Sequence, residues 1–251
     1  MLDANVWRRI VDADAGDLLL RTATRANARV LAAPTVAYEA IRTPDVEVKA
    51  ALASELTRPR WSRLMPEAYS ESMELLPELR RLRPQFIRLK ANMSNFAQVR
   101  ASWTNKRHGF WERIRKDPDR ELRALDEGGQ KRLLDAGRKQ ARLRREEAKA
   151  MPKWEHVPLD QLKWIPDGAF PGWTGKPIEG WRVEAFATFD FALPKQGSAY
   201  RDWLEPFCDI DGLMIDRASW VHFWFEDVEV SALPRFWVRW AIEHLQRFRK
   251  V

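Results

Sequence analysis

The sequence contains 1 cysteine, Cys208, which excludes an internal disulfide framework and any zinc site built on cysteines. Histidine is also scarce: the chain has 4, scattered without the spacing of metal ligands. No apolar run approaches the roughly 20 residues that span a bilayer, and no secretory signal pattern opens the sequence. We therefore expect a cytoplasmic protein without a membrane partner.

Positive charge and tryptophan are abundant instead. The chain of 251 residues carries a formal net charge of +7 and has a sequence pI near 9.7. This surplus favours a polyanionic partner, because Lys and Arg that neutralise phosphates release condensed counterions. Most of the 13 tryptophans are expected to anchor the core. Exposed ones could stack on sugar rings, but the paired carboxylates of a carbohydrate-cleaving groove are not found.

Carboxylates follow two predicted strands near the N-terminus. Within residues 1–7, apolar side chains bracket Asp3 and Asn5, as at the carboxyl end of a short buried strand. A second apolar run, residues 29–33, precedes a helix that carries Glu39. Parallel strands joined by a crossover helix would bring Asp3 and Glu39 to one edge of the sheet, where open α/β sheets bind ligands.

This order of residues resembles the start of a PIN domain. The motif is Leu-Asp-x-Asn-Val, then a helix, a short strand ending in a small residue and proline, and a glutamate early in the next helix. PIN domains are metal-dependent nucleases, acting mostly on RNA, with a Rossmann-like parallel sheet. The resemblance implies that Asp3 and Glu39 are catalytic ligands of Mg²⁺ or Mn²⁺, with Asn5 orienting the aspartate. Toxin members of the family also raise the question of an inhibitory protein partner.

A complete site of this kind needs more acids than these two. Hard divalent cations prefer carboxylate oxygens and water, and a bound ion can activate water and stabilise charge on a phosphate. In the family, the third and fourth carboxylates come late in the chain, and no such segment is found before Val251. We therefore expect a PIN-like domain that lacks its C-terminal segment, with the remaining acids beyond Val251 or supplied by Asp209 or Asp211. The alternative for those two aspartates is a turn.

Composition divides the chain into three predicted parts. Residues 1–85 are the N-terminal part of the PIN-like domain, with a third strand near residues 61–65. Residues 86–194 are a large insertion that is mostly helical, basic and rich in tryptophan. Residues 195–251 are helices that pack back on the core, the last of them beginning at Pro234. The expected fold class is α/β, a Rossmann-like short parallel sheet with flanking helices and a helical insertion.

A charged helical segment within the insertion is the candidate RNA-binding surface. It runs over residues 117–150 and has only a thin stripe of leucines. The cations predicted to contact RNA are Arg138, Lys139, Arg142 and Arg145. The alternative is a solvated helix in which pairs such as Glu146-Glu147 balance the cations.

Two functions are compatible with these patterns. The first is a metal-dependent endoribonuclease of PIN-like type, incomplete in this sequence. The second is a non-catalytic PIN-like module that binds nucleic acid or regulates, and the missing late acids motivate it. Strongly salt-dependent RNA binding without turnover would favour the second function, whereas turnover abolished by chelation would favour the first.

Overall fold

The structure is a computed structural model that describes residues 3–105, 107–127, 139, 142–143, 146, 174 and 176–248, without the side chains of Leu125 and residues 243–248. The chain divides into two compact units: unit 1 is residues 1–66 and 97–136, and unit 2 is residues 67–96 and 137–251. The boundaries at residues 85 and 194 were predicted from composition and stay predictions. Among the described helices, none is long and apolar enough to cross a membrane.

Helices dominate both units. In chain order the described elements are α1 (Ala4–Asp12), α2 (Gly16–Arg25), β1 (Leu31–Ala32), α3 (Pro34–Ala40), α4 (Val46–Leu56), β2 (Ser62–Arg63), α5 (Glu67–Leu82), a 3-10 turn (Pro84–Phe86), α6 (Met93–Thr104), α7 (Phe110–Lys116), α8 (Pro118–Glu127), α9 (Pro177–Ala192), α10 (Ala199–Leu204), α11 (Ile210–Ile215), α12 (Arg217–His222), a π-helical turn (Phe223–Asp227), a second 3-10 turn (Val230–Ala232) and α13 (Pro234–Phe248).

The first element among the described residues is helix α1, so the strand predicted within residues 1–7 is wrong. Asp3 is the helix N-cap, since its Oδ1 accepts a hydrogen bond from the backbone N–H of Val6 at 2.8 Å. Trp7, Ile10 and Val11 follow at helical spacing and pack into the core of unit 1. The cap and this apolar period together favour the helix over the strand.

The described sheet consists of β1 and β2, which are parallel and have 2 residues each. Leu31 pairs with Ser62, and Ala32 pairs with Arg63. Both strands lie inside segments predicted as strands, and α3 and α4 connect them. The predicted Rossmann-like α/β fold is nevertheless wrong, because the described part of the chain is mostly helical and contains no larger sheet. Strands this short contribute few ladder hydrogen bonds, so packing between helices holds the unit together.

Aromatic side chains organise the core of unit 1. Trp7 and Trp61 meet edge to face with ring centroids 5.8 Å apart. Phe110 contacts Tyr38 and Trp111, and each of those ring centroids is 5.0 Å from that of Phe110. Pairs of this geometry contribute about 1 kcal/mol beyond the burial of their surface. The rings therefore hold α1, α3 and α7 in place within the unit.

The core of unit 2 is an aromatic cluster centred on Trp224, which is fully buried. Its ring centroid lies 5.3 Å from that of Phe189, 5.4 Å from that of Trp220 and 5.1 Å from that of Phe223. The prediction that most tryptophans anchor the core is confirmed for those that the structure describes. The buried ones are Trp7, Trp61, Trp111, Trp181, Trp203, Trp220, Trp224 and Trp240.

Glu71 is a buried acid in unit 2 with an exposed fraction of 2%. Its Oε2 accepts hydrogen bonds from the Tyr200 hydroxyl at 2.6 Å and from Arg239 Nη2 at 3.0 Å. Burial raises the pKa of Glu71 above its ordinary value, although Arg239 and Tyr200 act in the opposite direction. Because both carboxylate oxygens are paired within the unit, this cluster serves packing between α5, α10 and α13.

Asp227 connects the π-helical turn of unit 2 to Arg83 and His222. Its Oδ2 lies 3.0 Å from His222 Nδ1 and accepts a hydrogen bond from Arg83 Nη2 at 2.6 Å. Burial, the largest influence, raises the pKa of Asp227, but the hydrogen bonds from His222 and Arg83 outweigh it and the pKa is lowered overall. Arg83 also donates to the carbonyl of Ser219 at 2.8 Å. These contacts attach the rare π-helical geometry to the end of α5.

Candidate nucleic-acid interface

The predicted metal ligands Asp3 and Glu39 are exposed side chains of unit 1. Asp3 caps α1, Asn5 lies in the first turn of α1, and Glu39 lies near the end of α3. Helices α1 and α3 pack against each other. Within the described residues, however, no hydrogen bond or ion pair joins the side chains of Asp3, Asn5 and Glu39. Their catalytic, metal-binding and supporting roles stay predictions.

The same residues do not form a complete metal site. Mg²⁺ requires near-octahedral oxygen coordination, and two carboxylates supply only part of it. In the part of the chain that the structure describes, no group of 3 or more His, Cys, Asp or Glu side chains could hold a metal ion. Binding of Mg²⁺ or Mn²⁺ by Asp3 and Glu39 therefore stays a prediction.

Asp209 and Asp211, the acids considered as further ligands, have local partners in unit 2. Asp209 caps α11, and its Oδ1 accepts a hydrogen bond from the backbone N–H of Gly212 at 3.2 Å. Asp211 forms an ion pair at 2.9 Å with Arg201, a buried arginine that also pairs with Glu205. The hydrogen bond from Arg201 lowers the pKa of Asp211. Asp209 is a helix N-cap and Asp211 lies in the first turn of α11, so the turn interpretation of the two aspartates is wrong.

The structure describes two of the four cations that were predicted to contact RNA in the charged segment 117–150. Lys139 and Arg142 are exposed, and both belong to unit 2. Arg138 and Arg145 lie outside the described residues. Contact of RNA with these side chains stays a prediction.

Three of the four acidic side chains of α8 form ion pairs inside unit 1. The pairs are Asp119 with Lys49 at 2.6 Å, Glu121 with Arg113 at 2.8 Å, and Asp126 with Arg42 at 2.8 Å. Lys49 and Glu121 are both buried, so these contacts are part of the packing. A further acid, Asp117, accepts a hydrogen bond from the backbone N–H of Arg120. The carboxylates of this region are therefore largely used by partners within the unit.

The exposed cations near these acids differ from them, because none of the cations forms an ion pair with another described residue. We call them the α7–α8 basic surface, and its members are Arg63, Arg115, Lys116, Arg120 and Arg123. Arg115 and Lys116 lie in the last turn of α7, where the helix dipole favours positive charge. The fold thus places acids and cations of one sequence segment in different environments.

Sequence patterns did not reveal this surface. Residues 113–127 contain acids and cations in similar numbers, so the segment looks neutral overall. The available signal was the run Arg113-Ile114-Arg115-Lys116, which places three cations within four residues. Which acid pairs with which cation depends on contacts with α4 and with Arg42, and these are distant in sequence.

Comparisons with protein-family models, curated proteins and solved structures gave no match. The resemblance to PIN domains therefore stays a prediction that rests on the first seven residues and Glu39. Fold and site together define a basic, mostly helical protein with a cationic surface on its described residues.

Proposed function

We propose that the protein binds RNA by contacts between the α7–α8 basic surface and the phosphate backbone. The observation that carries this proposal lies on α8: Asp119, Glu121 and Asp126 form ion pairs within unit 1, whereas Arg120 and Arg123 are exposed and pair with no described acid. Cations without a protein partner are free to neutralise phosphates, and each such contact releases counterions. The net charge of +7 also favours binding of a polyanion such as RNA.

The proposed function is binding of RNA and does not include its cleavage. An exposed arginine can donate two parallel hydrogen bonds to two oxygens of one phosphate group. This contact requires no metal ion and does not depend on the base sequence. We therefore expect affinity for RNA with little sequence preference.

A charge-neutralising variant tests the proposal. In fluorescence anisotropy with a labelled single-stranded RNA of about 20 nucleotides, we expect the wild-type affinity to fall roughly fiftyfold between about 50 and about 200 mM salt, as four or five phosphate contacts would give. The variant Arg115→Gln, Lys116→Gln, Arg120→Gln should bind at least about tenfold more weakly, with a salt slope shallower by about 2.

The matched control removes the same charge from exposed arginines of unit 2 that are already in ion pairs: Arg81→Gln, Arg217→Gln, Arg235→Gln. We expect this variant to bind RNA within about threefold of the wild type. Equal losses in the two variants would show that net charge alone drives binding, and would contradict the assignment to the α7–α8 basic surface.

The same RNA tests the predicted nuclease activity. Incubation with Mn²⁺, and with a chelator in parallel, shows whether bound RNA is cut. Cleavage that needs Mn²⁺ and is lost in both Asp3→Asn and Glu39→Gln would support the predicted ligands. Intact RNA under both conditions, together with salt-dependent binding, would show that the protein binds RNA without cutting it.

A further inference from the structure

Arg63 is held in place on two sides. It is the last residue of β2, and its Nη2 donates a hydrogen bond to the carbonyl oxygen of Thr57, just after α4, at 2.9 Å. Its Cζ lies 5.6 Å from the centroid of the Trp111 ring, and Trp111 is buried with an exposed fraction of 3%. The guanidinium is therefore fixed in position before any ligand arrives.

Helix α7 carries a second arginine on the Trp111 side. Arg115 follows Trp111 by four residues on α7, so both side chains are on the same face of that helix. Because Arg63 lies over Trp111, this spacing places Arg115 on the side of α7 that faces Arg63. Burial lowers the pKa of Arg63, and the charge of Arg115 lowers it further, which agrees with this geometry.

Neither arginine has an acidic partner among the described residues. A guanidinium has five N–H donors. Arg63 uses one of them in its hydrogen bond to Thr57, and the Arg115 guanidinium is in no hydrogen bond with a described residue. Two like charges held close together repel each other unless an anion lies between them. The remaining donors are those that bind phosphate oxygens in pairs.

We propose that Arg63 and Arg115 together hold one phosphate group of the RNA backbone, with Arg63 fixed by Trp111 and Thr57 and Arg115 completing the clamp. This inference rests on the proposed RNA binding and specifies where one phosphodiester is bound. The anion offsets the repulsion between the two guanidinium groups, so the pair is unfavourable in the free protein and favourable in the complex.

The variant Arg115→Gln tests the clamp through two readouts with opposite signs. Its control is Arg25→Gln, which removes the same charge from an exposed arginine in the last turn of α2, a helix of the same unit that carries no residue of the α7–α8 basic surface. In the anisotropy assay, Arg115→Gln should weaken RNA binding about fivefold and make the salt slope shallower by about 1, whereas Arg25→Gln should change affinity less than about twofold. Without RNA, Arg115→Gln should have a thermal midpoint about 1 to 2 °C above that of Arg25→Gln, because only Arg115 repels Arg63.

Three results would overturn the clamp. Equal RNA affinities of the two variants would show that Arg115 contacts no phosphate. A lower thermal midpoint for Arg115→Gln than for the control would show that Arg115 stabilises the free protein and is not repelled by Arg63. If Arg115→Gln lost the binding of the wild type to phosphatidylglycerol vesicles but kept its RNA affinity, Arg63 and Arg115 would be assigned to a lipid phosphate. Wild-type protein that does not bind RNA at all would instead contradict the proposed function itself.

Discussion

Replacement of Gly109 by alanine is expected to destabilise unit 1 by about 3 kcal/mol. A Cβ atom at this position would lie 2.2 Å from the carbonyl oxygen of Asn105 and 3.0 Å from its backbone nitrogen. The backbone of Asn105 cannot swing away as a long side chain can. Gly109 is also the N-cap of α7, which places Phe110, Trp111 and Ile114 in the core. Relief of the clash must therefore shift a helix that carries three buried side chains.

The matched control is Gly197→Ala. Gly197 has a φ of +71°, and no described atom lies within 4 Å of the position that a Cβ would take, so alanine there meets backbone strain but no clash. We expect it to cost about 1 kcal/mol. Urea unfolding followed by circular dichroism measures both changes. A cost for Gly109→Ala no greater than that of the control would contradict the tight approach of Gly109 to Asn105.

Truncation of Trp224 to alanine is expected to cost about 4 kcal/mol. This side chain is fully buried at the centre of the aromatic cluster of unit 2, so its removal leaves a large cavity and ends its ring contacts with Phe189, Trp220 and Phe223. Its indole N–H has no hydrogen-bond partner among the described residues. Trp224→Phe should therefore cost only about 1 to 2 kcal/mol, since it removes volume but no hydrogen bond.

Trp61→Phe is the comparison for this prediction. Trp61 is also buried, but its Nε1 donates a hydrogen bond to the carbonyl of Glu55 at 2.7 Å. The same truncation there removes volume and a hydrogen bond, and we expect it to cost about 1 kcal/mol more than Trp224→Phe. Urea unfolding ranks the variants, and a larger loss for Trp224→Phe than for Trp61→Phe would contradict the assigned contacts.

Local signals predicted several helices from the sequence and misplaced the first strand. Helix α13 begins at Pro234, as its first-turn proline indicates, and the helix predicted around Glu39 is α3. For the first residues, the apolar positions on either side of Asp3 matched a strand as well as a helix. The side-chain cap from Asp3 to Val6 and the burial of Trp7 decide between them, and burial is a property of the whole unit.

The parallel strand pair shows what short-range patterns omit. Apolar runs near residues 29–33 and 61–65 do contain β1 and β2. Their pattern does not fix how many residues pair, because the register depends on the helices packed against them. Only Leu31 with Ser62 and Ala32 with Arg63 pair within the described sheet. The inference of a Rossmann-like sheet therefore extended a correct local feature too far.

The candidate interface was less accessible from sequence than the helices were. Net charge indicated a polyanionic partner, and the dense cations of residues 138–145 made that segment the predicted surface. On α8 the acids Asp119 and Asp126 look able to neutralise nearby arginines, yet the fold pairs them with Lys49 and Arg42. Long-range ion pairing of this kind leaves Arg120 and Arg123 without acidic partners in the described part of the chain, and no short window of sequence reveals it.

Arginine footprinting measures the RNA interface directly. Protein with and without saturating single-stranded RNA is treated with an arginine-selective dicarbonyl reagent, and the modified residues are quantified by mass spectrometry. We expect RNA to protect Arg115, Arg120 and Arg123, and to leave Arg21 and Arg25 on α2 modified at the rate of the free protein. Protection of Arg21 and Arg25 with unchanged modification of Arg115, Arg120 and Arg123 would contradict RNA binding at the α7–α8 basic surface.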